Sequence, residues 1–207
     1  DDLEDRVNSS ADPFDTALKL AIAGNIIDFA VNDSCDLQGT IERVLCSGFA
    51  IDHSEQLKSA LIKARKVLYI GDNAGEIVFD RLFISRIAHP GLVFSVRGGP
   101  AINDATMEDA LYTGMLTVTR VISSGHDAPT TVLSQSGEEF RKEYLEADLI
   151  IAKGQGNLEG LLGENDSRIY FLLMAKCDVI AGYLKVEKGS FLVFNPALLQ
   201  EKKMKQK

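Results

Sequence analysis

Acidic and amide side chains occupy a short turn in the middle of the chain, between Gly71 and Glu76. Asp72 and Asn73 follow the apolar run Val67–Ile70 closely, and Glu76 comes three residues after Asn73. Carboxylate and amide oxygens are the ligands that hard cations such as Mg²⁺ and Mn²⁺ prefer in proteins. Asp and Asn are also favoured helix N-cap residues, so a purely structural role for this turn stays open.

Three later apolar runs are followed by polar, glycine-containing segments of the same kind. In an open sheet with parallel strands, ligands bind outside the carboxyl ends of the strands. We therefore predict that the polar residues after all four runs share one site. The later runs and their polar residues are Leu92–Val96 with Arg97, Asn103 and Asp104, Thr117–Ile122 with His126 and Asp127, and Leu149–Ala152 with Lys153 and Asn157.

The oxygen-bearing residues at this edge predict a divalent cation. Asp72, Asn73 and Asp104 offer two carboxylates and one amide oxygen. These are too few ligands for a closed structural site, so water or substrate oxygens would complete the coordination. Asp104 also suits the cap of a following helix, and that alternative stays open.

Positive charge at the same edge points to a phosphate ester as the substrate. Arg97 and Lys153 would stabilise the charge that builds on a phosphoryl group, and glycine-rich turns before helices present backbone N–H groups to an anion. A bound cation would polarise that group and lower the pKa of a water molecule. Asp72 or Glu76 would orient or deprotonate the water, so we predict catalytic roles for Asp72, Glu76 and Lys153.

The elements that must hold these residues change character near residue 66. Before it, apolar residues recur at spacings of three and four, which predicts a helical N-terminal part over residues 1–65. After it, short apolar runs alternate with helical patterns, which predicts a mostly parallel central sheet covered on both faces. We therefore predict an α/β protein with three α/β/α layers, in which an α/β domain over residues 66–207 carries the site.

Gly24 interrupts the first predicted helix. Glycine inside a helix costs about 1 kcal/mol relative to Ala, so we expect close packing or a ligand beside it. The other predicted elements are strands at Ile169–Met174 and Phe191–Phe194, the second an antiparallel edge strand, and helices at Gly75–Ala88, Asn103–Tyr112 and Gly137–Glu146.

The composition excludes several classes of function. The chain has 207 residues with a formal net charge of −8, whereas a protein that binds duplex nucleic acid needs a basic footprint. No apolar run approaches the roughly 20 residues of a membrane span, and the start does not resemble a signal peptide. We therefore expect a cytoplasmic protein without nucleic-acid or membrane partners. Because the chain begins at Asp1 rather than Met, we also expect further residues upstream.

Five segments of the sequence resemble one known family. "GDNAGE" (71–76), "RGGPAINDAT" (97–106) and "KGQGN" (153–157) resemble the metal-dependent damage-control phosphatase family, formerly a domain of unknown function. "GNIID" (24–28) and "AKCDVIAGYLKVEKG" (175–189) are similar to it as well. The resemblance runs in order from about residue 12 to residue 195 and is closest to the short, archaeal-type branch.

The resemblance implies a fold, a cofactor and an activity. Members have an α/β core with a helical N-terminal part, bind Mn²⁺, Co²⁺, Ni²⁺ or Mg²⁺, and release phosphate from small, often sugar-type or damaged, metabolites. At the matching positions it implies that Asp72, Asn73 and Asp104 bind the metal, that Lys153 holds the phosphate, and that Glu76 also lines the pocket. Together with the residues at the strand ends, it predicts substrate contacts for Asn25, Asp28, Arg97, Asn103, Lys153 and Asn157.

Two other functions remain compatible with the sequence. An acid after the first parallel strand can also hold a ribose, as in an S-adenosylmethionine-dependent methyltransferase, which would need no divalent ion. A sensor that binds a metal and a metabolite without turnover is the other alternative. The substrate, the physiological metal and the oligomeric state stay open, a homo-oligomer being compatible, and so does attack by water or by an aspartate such as Asp72.

Overall fold

One seven-stranded sheet organises the molecule. The computed structural model describes the backbone of residues 2–30 and 37–205, and the side chains of residues 3–24, 39 and 41–200. The strands have the spatial order β1-β7-β6-β5-β2-β3-β4, and every neighbouring pair is parallel except β6 and β7. They are β1 (Phe49–Asp52), β2 (Val67–Ile70), β3 (Leu92–Val96), β4 (Arg120–Ser123), β5 (Leu149–Lys153), β6 (Ile169–Met174) and β7 (Phe191–Phe194).

Helices connect these strands and cover both faces of the sheet. Within the described chain they are α1 (Asp2–Ser9), α2 (Pro13–Ala30), α3 (Leu37–Cys46), α4 (Ser54–Lys63), α5 (Ile77–Ile87), α6 (Met107–Tyr112), α7 (Glu138–Glu146), α8 (Gly154–Leu161), α9 (Asp178–Leu184) and α10 (Pro196–Lys205). Among the described residues, none of these helices has both the length and the apolar character needed to cross a membrane.

The core has two apolar clusters, one on each face of the sheet. Successive residues of a strand point to opposite faces, so Tyr69 of β2 belongs to a cluster with residues of α2, α4 and α5, whereas Leu68 belongs to one with residues of α7, α8 and α9. All four residues of β2 are buried. The predicted three-layer fold with a mostly parallel sheet is therefore confirmed.

Three details of the predicted elements were wrong. The N-terminal part is helical apart from β1, which pairs in parallel with β7. β7 runs antiparallel to β6, as predicted. It is not an edge strand, because β1 lies on its other side. The strand expected at Thr117–Ile122 is β4, which begins at Arg120 because Met115–Thr117 form a 3₁₀ turn.

Helix starts also differ from the prediction. A 3₁₀ turn at Ala74–Glu76 precedes α5, and α6 begins at Met107, later than Asn103. A capping box formed by Thr106 and Asp109 starts α6. Asp104 is therefore not the cap of that helix.

The close packing expected at Gly24 is confirmed. A Cβ atom there would lie 3.1 Å from Cδ2 of Phe79 and 3.2 Å from Cα of Glu76. Helix α2 therefore packs directly behind the turn that carries Glu76.

Candidate active site

The loops after β2 and β3 are joined by backbone contacts at the carboxyl edge of the sheet. An isolated antiparallel bridge pairs Asn73 with Asp104, and the N–H of Ala105 donates to the carbonyl of Asp72 at 2.8 Å. The side chain of Asn73 makes no capping hydrogen bond to the following turn. The two loops thus hold the three predicted metal ligands next to one another.

A strained turn presents Asp104. The N–H of Asp104 donates to the carbonyl of Ala101 at 2.9 Å, and Ile102 between them has a left-handed φ of 54°. A β-branched residue rarely adopts this conformation. Ile102 is 89% exposed, so burial of its side chain does not offset the strain in its backbone. The neighbouring Asn103 is also exposed, and its carbonyl accepts the N–H of Ala74 at 2.8 Å.

Asp72 and Asp104 form a buried acidic pair. They are 8% and 7% exposed. Burial raises the pKa of Asp72 to about 6, the charge of Asp104 adds to the increase, and Lys153, Arg97 and Lys176 oppose it. Burial also raises the pKa of Asp104, against the hydrogen bond and charge of Arg97. Additional positive charge between the two carboxylates would therefore stabilise their ionised forms.

Arg97 is a buried clamp at the end of β3, and only 4% of it is exposed. Its Nε donates to the carboxylate of Asp104, and its Nη2 donates to Oδ1 of Asn157 at 2.8 Å. Its Nη1 donates to Oγ1 of Thr131 at 3.3 Å. Arg97 therefore orients one metal-ligand candidate while anchoring it to α8.

Asn157 locks the ends of two neighbouring strands together. Its Nδ2 donates to the carbonyl of Lys153 at 2.7 Å and to the carbonyl of Gly71 at 3.0 Å. Its Oδ1 also accepts the hydroxyl of Thr131 at 2.8 Å. These contacts fix the backbone at the ends of β2 and β5, where the loops of the site begin.

Lys153 lies beneath the edge of the sheet, inside the protein. Its Nζ donates to Oε2 of Glu76 at 2.8 Å and to Oδ1 of Asp80 at 2.7 Å, and Lys153 is 1% exposed. Burial lowers the pKa of Lys153, but the charges and hydrogen bonds of Asp80 and Glu76 outweigh it and raise the pKa above the ordinary value. The ammonium group is therefore charged, and it donates hydrogen bonds to the carboxylates of Glu76 and Asp80.

Glu76 is fully buried beside the predicted ligands. Its Oε1 accepts Nδ2 of Asn73 at 2.8 Å, while its Oε2 accepts Lys153. Burial raises the pKa of Glu76 to about 8, Lys153 opposes the increase, and Asp72 and Asp80 add to it. Both carboxylate oxygens thus face protein groups.

The sequence missed two residues that complete the site. Lys176 follows β6, a fifth strand whose carboxyl end lies at the same edge, and its half-buried side chain acts electrostatically on Asp72. Extending the rule of strand ends to β6 would have found it. Asp80 stands four residues after Glu76, a spacing that places both on one side of a helical segment. The predictions for Asn25 and Asp28 concern side chains outside the described residues.

The donor set fits a hard cation with open coordination positions. Across the part of the chain with described side chains, no group of three His, Cys, Asp or Glu residues is arranged to hold a metal. A cation would therefore need the two carboxylates of Asp72 and Asp104, the amide oxygen of Asn73, and oxygens from water or substrate. Because Nδ2 of Asn73 donates to Glu76, the amide oxygen is the atom left for the cation.

Comparisons with known proteins show the family to which this chain belongs. The family model described as the damage-control phosphatase ARMT1-like domain matches residues 1–192. A damage-control phosphatase from Pyrococcus horikoshii is 43% identical over 183 residues, which are 86% of this chain and 64% of the relative. A damage-control phosphatase from Archaeoglobus fulgidus is 35% identical over 193 residues, 90% of this chain and 66% of the relative.

One further relative and one crystal structure also match this chain, the crystal structure being that of the Pyrococcus horikoshii protein named above. An uncharacterized protein from Methanocaldococcus jannaschii is 42% identical over 176 residues, 81% of this chain and 58% of the relative. The crystal structure of a DUF89 family protein from Pyrococcus horikoshii superimposes with a TM-score of 0.85 at 40% identity, covering 93% of this chain and 70% of that one. This chain spans 58 to 66% of the length of the curated relatives.

These relatives give no support to the methyltransferase alternative. The resemblance seen in the sequence is confirmed by the family match, by the identity to the named relatives and by the shared fold. The chain therefore belongs to the family of damage-control phosphatase ARMT1-like domains.

Proposed function

We propose that this protein is a metal-dependent phosphatase that releases phosphate from small phosphorylated metabolites, sugar phosphates or damaged metabolites among them. Two relatives bear the name damage-control phosphatase. The observation that carries the proposal is the buried pair of Asp72 and Asp104, held together with Asn73 by the bridge between the loops after β2 and β3. Arg97 compensates the charge of Asp104 directly, and a bound cation would in addition compensate that of Asp72.

Asp72, Asn73 and Asp104 would hold the cation. When bound, a divalent ion supplies polarisation of the phosphoryl group and a water of lowered pKa. The protein fixes these ligands beforehand, because Arg97 bonds Asp104 and Glu76 bonds Asn73. Such preorganisation is the main way in which proteins accelerate phosphoryl transfer.

The substrate phosphate would meet Lys176 rather than Lys153. Lys176 is half-buried and acts on Asp72 across the site, whereas Lys153 is enclosed by Glu76 and Asp80. The role of Lys153 in this proposal is therefore to hold the site, not to touch the substrate.

Asp72 is the residue proposed to orient the attacking water. It lies at the carboxyl end of β2, where its carboxylate packs against the backbone of Gly154. This close approach restricts the directions that the carboxylate can take. A fixed acceptor reduces the reorganisation that the reaction requires.

The test is phosphate release from p-nitrophenyl phosphate by chelator-stripped protein, with and without Mn²⁺, Co²⁺, Ni²⁺ or Mg²⁺. We expect turnover to return with metal and to fall to background in Asp104→Asn. Asp166→Asn is the matched control, since Asp166 pairs with Arg168 at the opposite edge of the sheet. Tight metal binding without turnover on any phosphate ester would favour the sensor instead, and absence of metal binding would refute the site.

A further inference from the structure

Four polar side chains form a cluster in the interior beneath the candidate site. Tyr69, Glu76, Asp80 and Lys153 are each at most 1% exposed. They come from four elements: Tyr69 from β2, Lys153 from β5, Glu76 from the 3₁₀ turn and Asp80 from helix α5. The reaction proposed above uses none of them directly.

The cluster is one continuous chain of hydrogen bonds that ends at a metal-ligand candidate. The hydroxyl of Tyr69 donates to Oδ1 of Asp80 at 2.6 Å, and Nζ of Lys153 donates to the same oxygen at 2.7 Å. The other contact of Nζ is Oε2 of Glu76 at 2.8 Å. Oε1 of Glu76 accepts Nδ2 of Asn73 at 2.8 Å.

Stability does not explain why these groups are buried. The effective desolvation penalty is several kcal/mol per ion, and apolar replacements of buried ion pairs are often neutral or stabilising. Asp80 adds to this cost, because its Oδ2 is buried and accepts no hydrogen bond from any described residue. Buried polar groups of this kind call for a role in specifying an arrangement.

The surroundings leave the cluster little freedom. Helix α2 closes behind Glu76, where Gly24 allows an approach that a Cβ atom would crowd. The ring of Tyr69 packs between Phe83 and Phe94. Because these groups have little room to rearrange, a displacement of Asp80 would also displace Lys153 and Glu76.

We propose that Asp80 is a positioning residue of the site: it holds Lys153, which holds Glu76 so that the Asn73 amide turns its oxygen toward the cation. The proposal rests on the proposed function for its link to metal binding. An amide has one donor end and one acceptor end, so fixing Nδ2 on Glu76 also fixes the direction of the oxygen. Residues behind metal ligands act in this way in many metal sites.

The first readout is the side-chain amide of Asn73, which requires neither metal nor turnover. In a ¹⁵N–¹H correlation spectrum this resonance is assigned as the one missing from Asn73→Ala. We expect Asp80→Ala to move it and to remove its protection from solvent exchange. Asp80→Asn should restore part of both, because its amide oxygen can still accept Lys153.

The second readout is Mn²⁺ affinity, measured by titration calorimetry or by the EPR signal of free Mn²⁺. We expect Asp80→Ala to weaken it by about tenfold or more, the range typical of partners behind metal ligands. Tyr69→Phe keeps the ring and removes only the hydroxyl that bonds Asp80, so a smaller loss in the same direction is expected. Asp166→Asn, an acid of an ion pair at the opposite edge, should leave Mn²⁺ affinity unchanged.

The two readouts separate this proposal from the proposed function. If folded Asp80→Ala and Tyr69→Phe keep the wild-type Asn73 resonance and Mn²⁺ affinity, the positioning role is refuted while the phosphatase proposal stands. If the wild-type protein releases no phosphate but Asp80→Ala still displaces the Asn73 amide resonance, the phosphatase proposal is refuted while the positioning role stands. If Asp166→Asn displaced the Asn73 amide resonance as far as Asp80→Ala does, the displacement would reflect a general loss of stability. That result would also overturn the positioning role.

Discussion

Gly154 lies so close to Asp72 that a Cβ atom at Gly154 would overlap the Asp72 carboxylate. The glycine also has a left-handed φ of 78°, a conformation that costs an L-residue about 1–2 kcal/mol. Two independent constraints therefore require glycine at the first position of α8. The close approach links the turn after β5 to the acid after β2.

Gly154→Ala should damage the site and the stability together. We expect a loss of at least about 1–2 kcal/mol in the free energy of unfolding from the backbone alone, and a fall in metal-dependent turnover because the Asp72 carboxylate must move. Urea denaturation and phosphate release measure the two effects. Gly163→Ala is the control, since a Cβ there meets no atom within 4 Å, and a loss as large in that variant would contradict the explanation.

Arg97→Lys should not be tolerated, although it conserves the charge. A lysine cannot reach Asp104, Asn157 and Thr131 from the three positions that the guanidinium occupies. We expect a loss of about 2–3 kcal/mol in unfolding free energy, because buried acceptors lose a charged donor, and weaker Mn²⁺ binding. The more exposed counterpart is Arg120→Lys, since the half-exposed Arg120 pairs with Glu139 and Glu143 and the loss should stay below about 1 kcal/mol.

Ile102→Asn should stabilise the protein. The side chain is 89% exposed, so little apolar burial is lost, and Asn adopts positive φ far more readily than a β-branched residue. We expect a gain of about 1 kcal/mol, seen as a higher Tm. Ile102→Val keeps the strain and should leave Tm nearly unchanged; an equal increase in both variants would mean that relief of strain is not the cause.

Metal should raise the thermal stability of the native protein and not that of a ligand variant. A ligand that binds only the folded state stabilises it by RT ln(1 + [L]/Kd), about 2.7 kcal/mol at a concentration 100 times Kd. We expect chelation to lower the Tm of the wild type and Mn²⁺ to restore it. In Asp104→Asn the Mn²⁺-dependent increase should largely disappear, and its full persistence would place the cation elsewhere.

We expect the contribution of Asp148 to the stability of the folded protein to depend on pH. Asp148 lies at the edge of the sheet opposite the candidate site. Hydrogen bonds from the backbone N–H groups of Arg65, at 2.8 Å, and Lys66, at 3.0 Å, lower the pKa of Asp148 below 3.8. A lowered pKa means that the stabilisation is present above the unfolded-state pKa and disappears as the pH falls through the folded-state pKa. Asp148→Ala should therefore lower Tm at pH 7, and the difference from the wild type should shrink below about pH 4.

A difference in Tm that is the same at pH 7 and pH 3 would show that the side chain contributes by packing. The surface acid Glu138, in the first turn of α7, provides a control: Glu138→Ala should change Tm little at either pH.

Local sequence determined the identity of the metal-ligand candidates. Asp72 and Asn73 follow one apolar run closely and Asp104 lies in the loop after another, and parallel strands bring their carboxyl ends to one edge. The residue types at those ends could therefore be assigned to one site before any contact was known. The same logic covered Arg97 and Asn157, and it would have covered Lys176.

Only the tertiary structure decided which of these charged groups lie at the edge of the sheet and which lie inside the protein beneath it. Lys153 shares a face of β5 with Leu149 and Ile151, which pack against the α2 and α5 layer, and its partner Asp80 comes from α5, 73 residues away. The pairing of β1 with β7 is equally non-local. Such contacts depend on how layers pack across the sheet, and neither periodicity nor the spacing of residues along the chain carries that information.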